Sequence, residues 1–153
     1  MPTIEDYCSG RILVLIRRAH IALRIGQLPL VGSWTKRTLQ ERVAPLGIHP
    51  VTLDEAGDII RCCRCCAAGP RVCQPLFPGS SESESIFLDE LASGMIGVRK
   101  AVPVTKDQAM TILRKYPDKP LVLSPVSGKC LEICRSEPRV CIYWKMRRNG
   151  IKC

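Results

Sequence analysis

Ten cysteines stand in a chain of 153 residues, and half of them crowd into one short stretch: CCRCC at positions 62–66, followed by Cys73. Cys62 with Cys65, and Cys63 with Cys66, form two overlapping Cys-x2-Cys pairs. That spacing lets two thiolates reach one tetrahedral zinc ion at ~2.3 Å from a tight turn. Cys73 is a third expected ligand, and His49 or a cysteine supplied by the fold would be the fourth. A second set, Cys130, Cys134, Cys141 and Cys153, brings four thiols, the number a closed structural zinc site needs. Three other chemistries compete for these groups. Acylation of CCRCC would add a lipid anchor behind a basic amphipathic helix. Free thiols would simply pack in a core, the reading for the solitary Cys8. Redox catalysis needs a Cys-x2-Cys at a helix N-terminus after a strand, whereas the residues before 62 read as helix.

Other reactive constellations are thin. The chain has no Gly-x4-Gly-Lys-Ser/Thr phosphate loop and no Gly-x-Gly-x2-Gly fingerprint. Its two histidines are poorly placed as bases, His20 on an arginine-rich helix and His49 held between Ile48 and Pro50. The clustered carboxylates (Asp54, Glu55 and Asp58; Glu82, Glu84, Asp89 and Glu90) read as helix faces or linker, and Ser81 with Glu84 three residues on forms a chance-prone acidic-kinase pattern. A non-enzymatic protein is expected.

Charge points to the partner. Lys+Arg number 23 against 14 Asp+Glu, a net +9 that favours RNA, DNA or an acidic membrane face. The cations suited to phosphate contacts fall in three sets: Arg11, Arg17, Arg18 and Arg24; Lys36, Arg37 and Arg42; Lys145, Arg147, Arg148 and Lys152. Trp144 beside Tyr143 adds an aromatic that could stack a base within the third set. RNA is preferred over DNA because the one helix-turn-helix-like stretch, around 46–58, carries Asp54, Glu55 and Asp58 where phosphates would lie.

Several elements must position these groups. Thr3 with Asp6 reads as a capping box opening a basic amphipathic helix of roughly five turns that Gly26 stops, with Ile12, Leu15, Ile16, Ala19, Ala22 and Leu23 inward. Ser33 to Val43 reads as a second helix, stopped by Pro45, and Thr52 caps a third. In the last third, Val98 to Val104 reads as a strand and Thr105 with Gln108 caps a helix through Tyr116. Leu121 to Leu123 and Lys129 to Cys134 read as short strands. Val140 to Met146 reads as the strongest strand, with Asn149-Gly150 as a hairpin turn.

These elements make an α+β protein, with a helical N-terminal part, a cysteine-rich loop, and a small α+β C-terminal part ending in a β-hairpin. The composition of 69–85, rich in Pro, Gly, Ser and Glu, suggests a division into 1–74, a linker with a short acidic helix over 75–97, and 98–153. Net charge runs +4 over 1–76, −4 over 77–97 and +9 over 98–153. MPTIEDYCSG is acidic and does not read as a secretory leader, and no apolar stretch reaches membrane length, so an intracellular, cytoplasmic or nuclear place is expected. In size, charge and cysteine content it resembles the small, basic accessory proteins that many RNA viruses encode. That resemblance implies zinc and nucleic-acid binding and a role against host defence such as RNA silencing, with a host protein as a further partner. The leading expectation is therefore a non-enzymatic zinc-binding protein that binds RNA. The alternative is a peripheral membrane or scaffold protein held by its first helix and an acylated CCRCC.

Overall fold

The computed structural model describes residues 1–29, 32–80, 83–98 and 100–153, so Ser81 and Glu82 of the expected kinase pattern and acidic linker lie outside the described residues. The architecture is α+β: an antiparallel sheet with helices packed around it and a helical N-terminal part.

Local chemistry sets the element ends. Thr3 accepts the Asp6 N–H while the Asp6 carboxylate accepts the Thr3 N–H at 2.9 Å, which opens α1, Ile4–Cys8. The single five-turn helix expected here is broken at Gly10, which takes φ +81, a left-handed conformation open to glycine at little cost. α2 then runs Arg11–Ile25 and α3 Gly32–Val43. Thr52, reciprocally capped by Glu55, starts α4 (Leu53–Cys62) after β1 (His49–Val51). β2 (Cys66–Pro70), β3 (Glu84–Leu88), α5 (Asp89–Met95) and β4 (Val102–Val104) follow. Thr105 and Gln108 cap α6, Lys106–Arg114, as their spacing predicts.

β5 (Leu121–Val126) and β6 (Lys129–Arg135) form the hairpin of the C-terminal part. Val140 to Met146, expected as a strand, instead leads through Cys141 as N-cap into α7, Ile142–Arg148. Its apolar residues fit either period, and the helix wins because Tyr143 and Met146, three apart, both reach the core. Asn149-Gly150 ends that helix instead of turning a hairpin. The Ile151 N–H donates to Met146 O and the Gly150 N–H to Arg147 O, with Gly150 at φ +76 and the Ile151 side chain buried beside Met146. Those two bonds are a Schellman cap.

Strand order is β1-β5-β6-β3-β2-β4, every pairing antiparallel. The sheet therefore draws on 49–51 and 66–70, on 84–88, and on 102–135, and one core (Ile60, Phe87, Leu91, Leu113 and Ile133 among its members) spans these same segments. Residues 84–97, expected as linker and acidic helix, hold β3 as well as α5. Both edge strands are short and carry a proline, Pro50 in β1 and Pro103 in β4, which limits edge-to-edge pairing.

Within the core a polar group is buried by design of the pairing. Glu132 on β6 accepts the Tyr7 hydroxyl at 2.7 Å and the Ser85 hydroxyl at 3.1 Å. Burial pushes the Glu132 carboxyl up from its ordinary range while those two donors oppose the shift. A second, smaller core lies apart: Leu23 of α2, Leu39 and Val43 of α3, Met146 of α7 and Ile151.

Candidate functional site

The thiols sort differently in space than in sequence. Cys63 caps α4 and Cys66 opens β2, so both are buried and their sulfurs lie 3.2 Å apart. The Cys63 thiol donates to Ile60 O at 3.1 Å. Burial, with Cys63 beside it, pushes the Cys66 thiol up to about 12. Cys62 and Cys65, the other overlapping pair, are exposed, with Cys65 Sγ 3.5 Å from Asp89 O. Of the CCRCC run, only Cys62 and Cys65, where the alternative of acylation would have to act, are exposed.

Cys73 leaves the first set. Its electrostatic neighbours are Arg71, Cys141 and Glu132, and those of Cys134 are Glu132, Cys73 and Cys141. Burial drives these thiols up, Cys73 to about 11, and keeps them protonated near neutral pH. Cys130 is exposed on β6, and Cys153 rests 4.0 Å from Met146 Sδ, pushed by burial to about 11. His49 sits exposed on edge strand β1, its Nδ1 2.8 Å from Gly47 O. Three strands separate β1 from β2, roughly 19 Å at ~4.8 Å per strand, so His49 is not the fourth ligand of the 62–66 run. Among the described residues, no three His, Cys, Asp or Glu side chains stand where they could hold a metal ion.

The cations, by contrast, converge. The small core draws α2, α3 and α7 together and thereby joins the basic set of residues 145–152 to the two sets on the neighbouring helices α2 and α3, about a hundred residues away in the chain. Gln40 of α3 fastens the C-terminal tail, donating to Lys152 O and accepting the Lys152 N–H, each at 2.7 Å. α2, α3 and α7 carry ten Lys/Arg and one carboxylate, Glu41. Burial lowers the Lys145 ammonium, and Arg148 and Arg24 lower it further. His20, edge-on to Phe77 at 5.1 Å, is pushed down to about 4 by burial and then by Lys145 and Arg24. Lys145 also lies 5.4 Å above the Phe77 ring.

The individual cations differ in freedom. Arg11 is compensated by Glu5 at 2.6 Å and Asp6 at 3.4 Å, and Arg37 by Glu41 at 3.1 Å. Arg17, Arg18, Arg24 and Arg42 are exposed, and so are Arg147, 3.5 Å from the Tyr143 hydroxyl, and Arg148, which donates to Pro138 O at 2.9 Å. The Lys36 stem lies along Gly26.

Trp144 is not a free stacking platform: it is half-buried, its indole N–H donates to Ser136 Oγ at 2.8 Å, and it packs edge-on to Tyr143. The open aromatic is Trp34, 72% exposed on α3. Its signal in the sequence is periodicity, since Trp34 and Arg37 fall opposite Leu39 and Val43. No protein-family model matches the chain, and no curated protein or solved structure matches it either.

Proposed function

We propose that this is a non-enzymatic binding protein whose α2–α3–α7 face engages an acidic macromolecular surface. One observation carries the reading: α7, from the far end of the chain, packs with the consecutive helices α2 and α3, so that three helices bearing ten cations and one carboxylate of their own come together, with Arg24 and Arg148 close enough to Lys145, and Lys145 and Arg24 close enough to His20, to lower both beyond what burial does. Such crowding costs stability in the free protein and is relieved by an anionic ligand. RNA, the expected partner, is one ligand of that chemistry. The thiols that burial keeps protonated are poor nucleophiles, and His20, held neutral beside Arg24 and Lys145, faces cations instead of a thiol, which supports a binding role. The test is elution from a heparin column with increasing salt. Arg17→Gln with Arg24→Gln and Arg148→Gln should elute markedly earlier, whereas Lys106→Gln with Lys115→Gln should elute nearly as wild type. Equal losses in both variants would reduce the reading to net charge.

A second reading rests on the Cys63–Cys66 contact. Two sulfurs bound to one tetrahedral zinc at ~2.3 Å lie ~3.8 Å apart, close to the 3.2 Å seen here. Cys62 and Cys65 would have to rotate inward to complete four thiolates. Elemental analysis of protein purified without chelator decides it: near-stoichiometric zinc, lost in Cys63→Ser with Cys66→Ser, supports the site, and zinc-free folded protein refutes it.

A further inference from the structure

α2 is amphipathic twice over. At 100° per residue its inward line is Ile12, Ile16, Ala19, His20 and Leu23, all buried or half-buried. On the opposite side Val14, Ile21 and Ile25 fall within a narrow arc that Leu28 continues beyond the helix end, with exposures of 49, 48, 41 and 53%. Arg17 and Arg24 border this stripe on one side and Arg11 and Arg18 on the other. Nine large hydrophobic residues are exposed among the described residues. Six of them, Val14, Leu15, Ile21, Ile25, Leu28 and Trp34, lie between positions 14 and 34, so the exposure is concentrated on one part of the surface. Gly32 packs against the Gly26 backbone so closely that a Cβ would stand 2.5 Å from Gly26 O, which puts Trp34 at the same end of α2 as Ile25 and Leu28.

We infer that this stripe, with its arginine borders, seats α2 in the plane of an anionic lipid bilayer. The inference rests on the reading of the helical face as a binder of acidic surfaces and names the surface. Aliphatic side chains offer phosphate backbones nothing, and the stripe itself holds no aromatic to stack a base, which disfavours RNA as its occupant. A second copy would bring arginine borders against arginine borders with no carboxylate on α2 to answer them. A bilayer takes both parts. The aliphatic line enters the headgroup–acyl boundary, the arginine stems extend their charges back to acidic headgroups, and Trp34 suits the interface. α2 has fifteen residues, about 22 Å at ~1.5 Å per residue, so it would lie in this plane instead of crossing. No helix among the described residues is long and apolar enough to cross a membrane.

The experiment is co-sedimentation of the full chain with vesicles of phosphatidylcholine plus phosphatidylserine, with phosphatidylcholine alone as reference, beside binding of poly(U) RNA. Wild type should bind the mixed vesicles with a blue shift of Trp34 emission, absent in Trp34→Phe. Ile21→Ser with Ile25→Ser, both solvent-facing and checked for folding by circular dichroism, should weaken vesicle binding by about tenfold or more through the lost apolar area. The same variant should keep its affinity for poly(U) or heparin. Arg17→Gln with Arg18→Gln should weaken both. Vesicle binding unchanged by the Ser pair, or binding of poly(U) without the vesicles, overturns the bilayer inference and leaves the acidic-surface reading standing. Binding of neither at low salt overturns both. A wild-type dimer that the Ser pair dissolves would assign the stripe to self-association and likewise overturn it.

Discussion

His20 reports on the cationic cluster through stability. Its Nε2 is buried with no hydrogen-bond partner among the described residues, and Lys145 and Arg24 oppose a proton there. The unfolded chain takes that proton near the ordinary 6.5, the folded protein only near about 4. Between those values the unfolded state binds more protons, so stability is full above 6.5 and falls as the pH drops toward 4. At ~1.36 kcal/mol per pKa unit the whole gap corresponds to ~3 kcal/mol, and solvent screening of a half-buried ring reduces it to ~1–2 kcal/mol. Urea unfolding at about pH 7 and about pH 4.5 measures it, with His20→Gln as the variant that cannot titrate. The wild type should lose ~1–2 kcal/mol more than His20→Gln over that interval. Equal losses would refute the placement of His20 against Arg24 and Lys145. The same ring offers a direct readout of binding, because an anion that neutralises those two cations should raise the His20 midpoint toward 6.5 in a proton-shift titration.

Three further outcomes follow from named contacts. Tyr7→Phe deprives buried Glu132 of its 2.7 Å donor and should lower unfolding free energy by ~1–3 kcal/mol, measured by denaturant midpoint. Gln40→Ala severs both bonds to Lys152 and should cost ~1 kcal/mol while freeing the tail, seen as faster labelling of Cys153 by a thiol reagent. Gly32→Ala forces a Cβ against Gly26 O and should destabilise by ~1–3 kcal/mol in thermal unfolding, parting α3 from α2; an unchanged midpoint would contradict that close packing.

Much of the fold is legible where a local group decides it. Thr3, Thr52 and Thr105 each hold their own helix start with an acidic or amide partner three residues on, so the caps are visible without tertiary knowledge. β5 likewise shows as an apolar run, and β6 as apolar residues interspersed with Lys129, Glu132 and Arg135. β2 does not, because Cys66–Pro70 contains mostly small residues whose strand conformation comes from pairing with β3 and β4. α7 was concealed by a dipeptide with two uses, since Asn-Gly serves a hairpin or a helix end and the buried Ile151 side chain selects the second. α2 is aliphatic on almost every side, so periodicity alone places Leu15 inward, whereas Leu15 is exposed and the half-buried His20 takes a place on the inward line.

The site follows the same division. The basic residues were readable one by one, but their convergence depends on contacts of Leu23, Leu39, Val43, Met146 and Ile151 that no local pattern encodes. Cysteine spacing recovered the Cys63–Cys66 contact because that link spans one turn from α4 into β2. It failed for Cys73 and His49, whose neighbours are set by strand order.

Lysine footprinting tests the central claim most directly. Acetylation of the protein with and without saturating heparin, read residue by residue by mass spectrometry, reports which lysines the polyanion covers. Lys36, Lys145 and Lys152 belong to the helical face, whereas Lys106 donates to Arg61 O, Lys115 pairs with Glu84 and Lys129 pairs with Glu90 elsewhere on the molecule. Selective protection of Lys36, Lys145 and Lys152 is the predicted result. Protection of Lys106, Lys115 and Lys129 instead, or of all lysines alike, would contradict a dedicated α2–α3–α7 face.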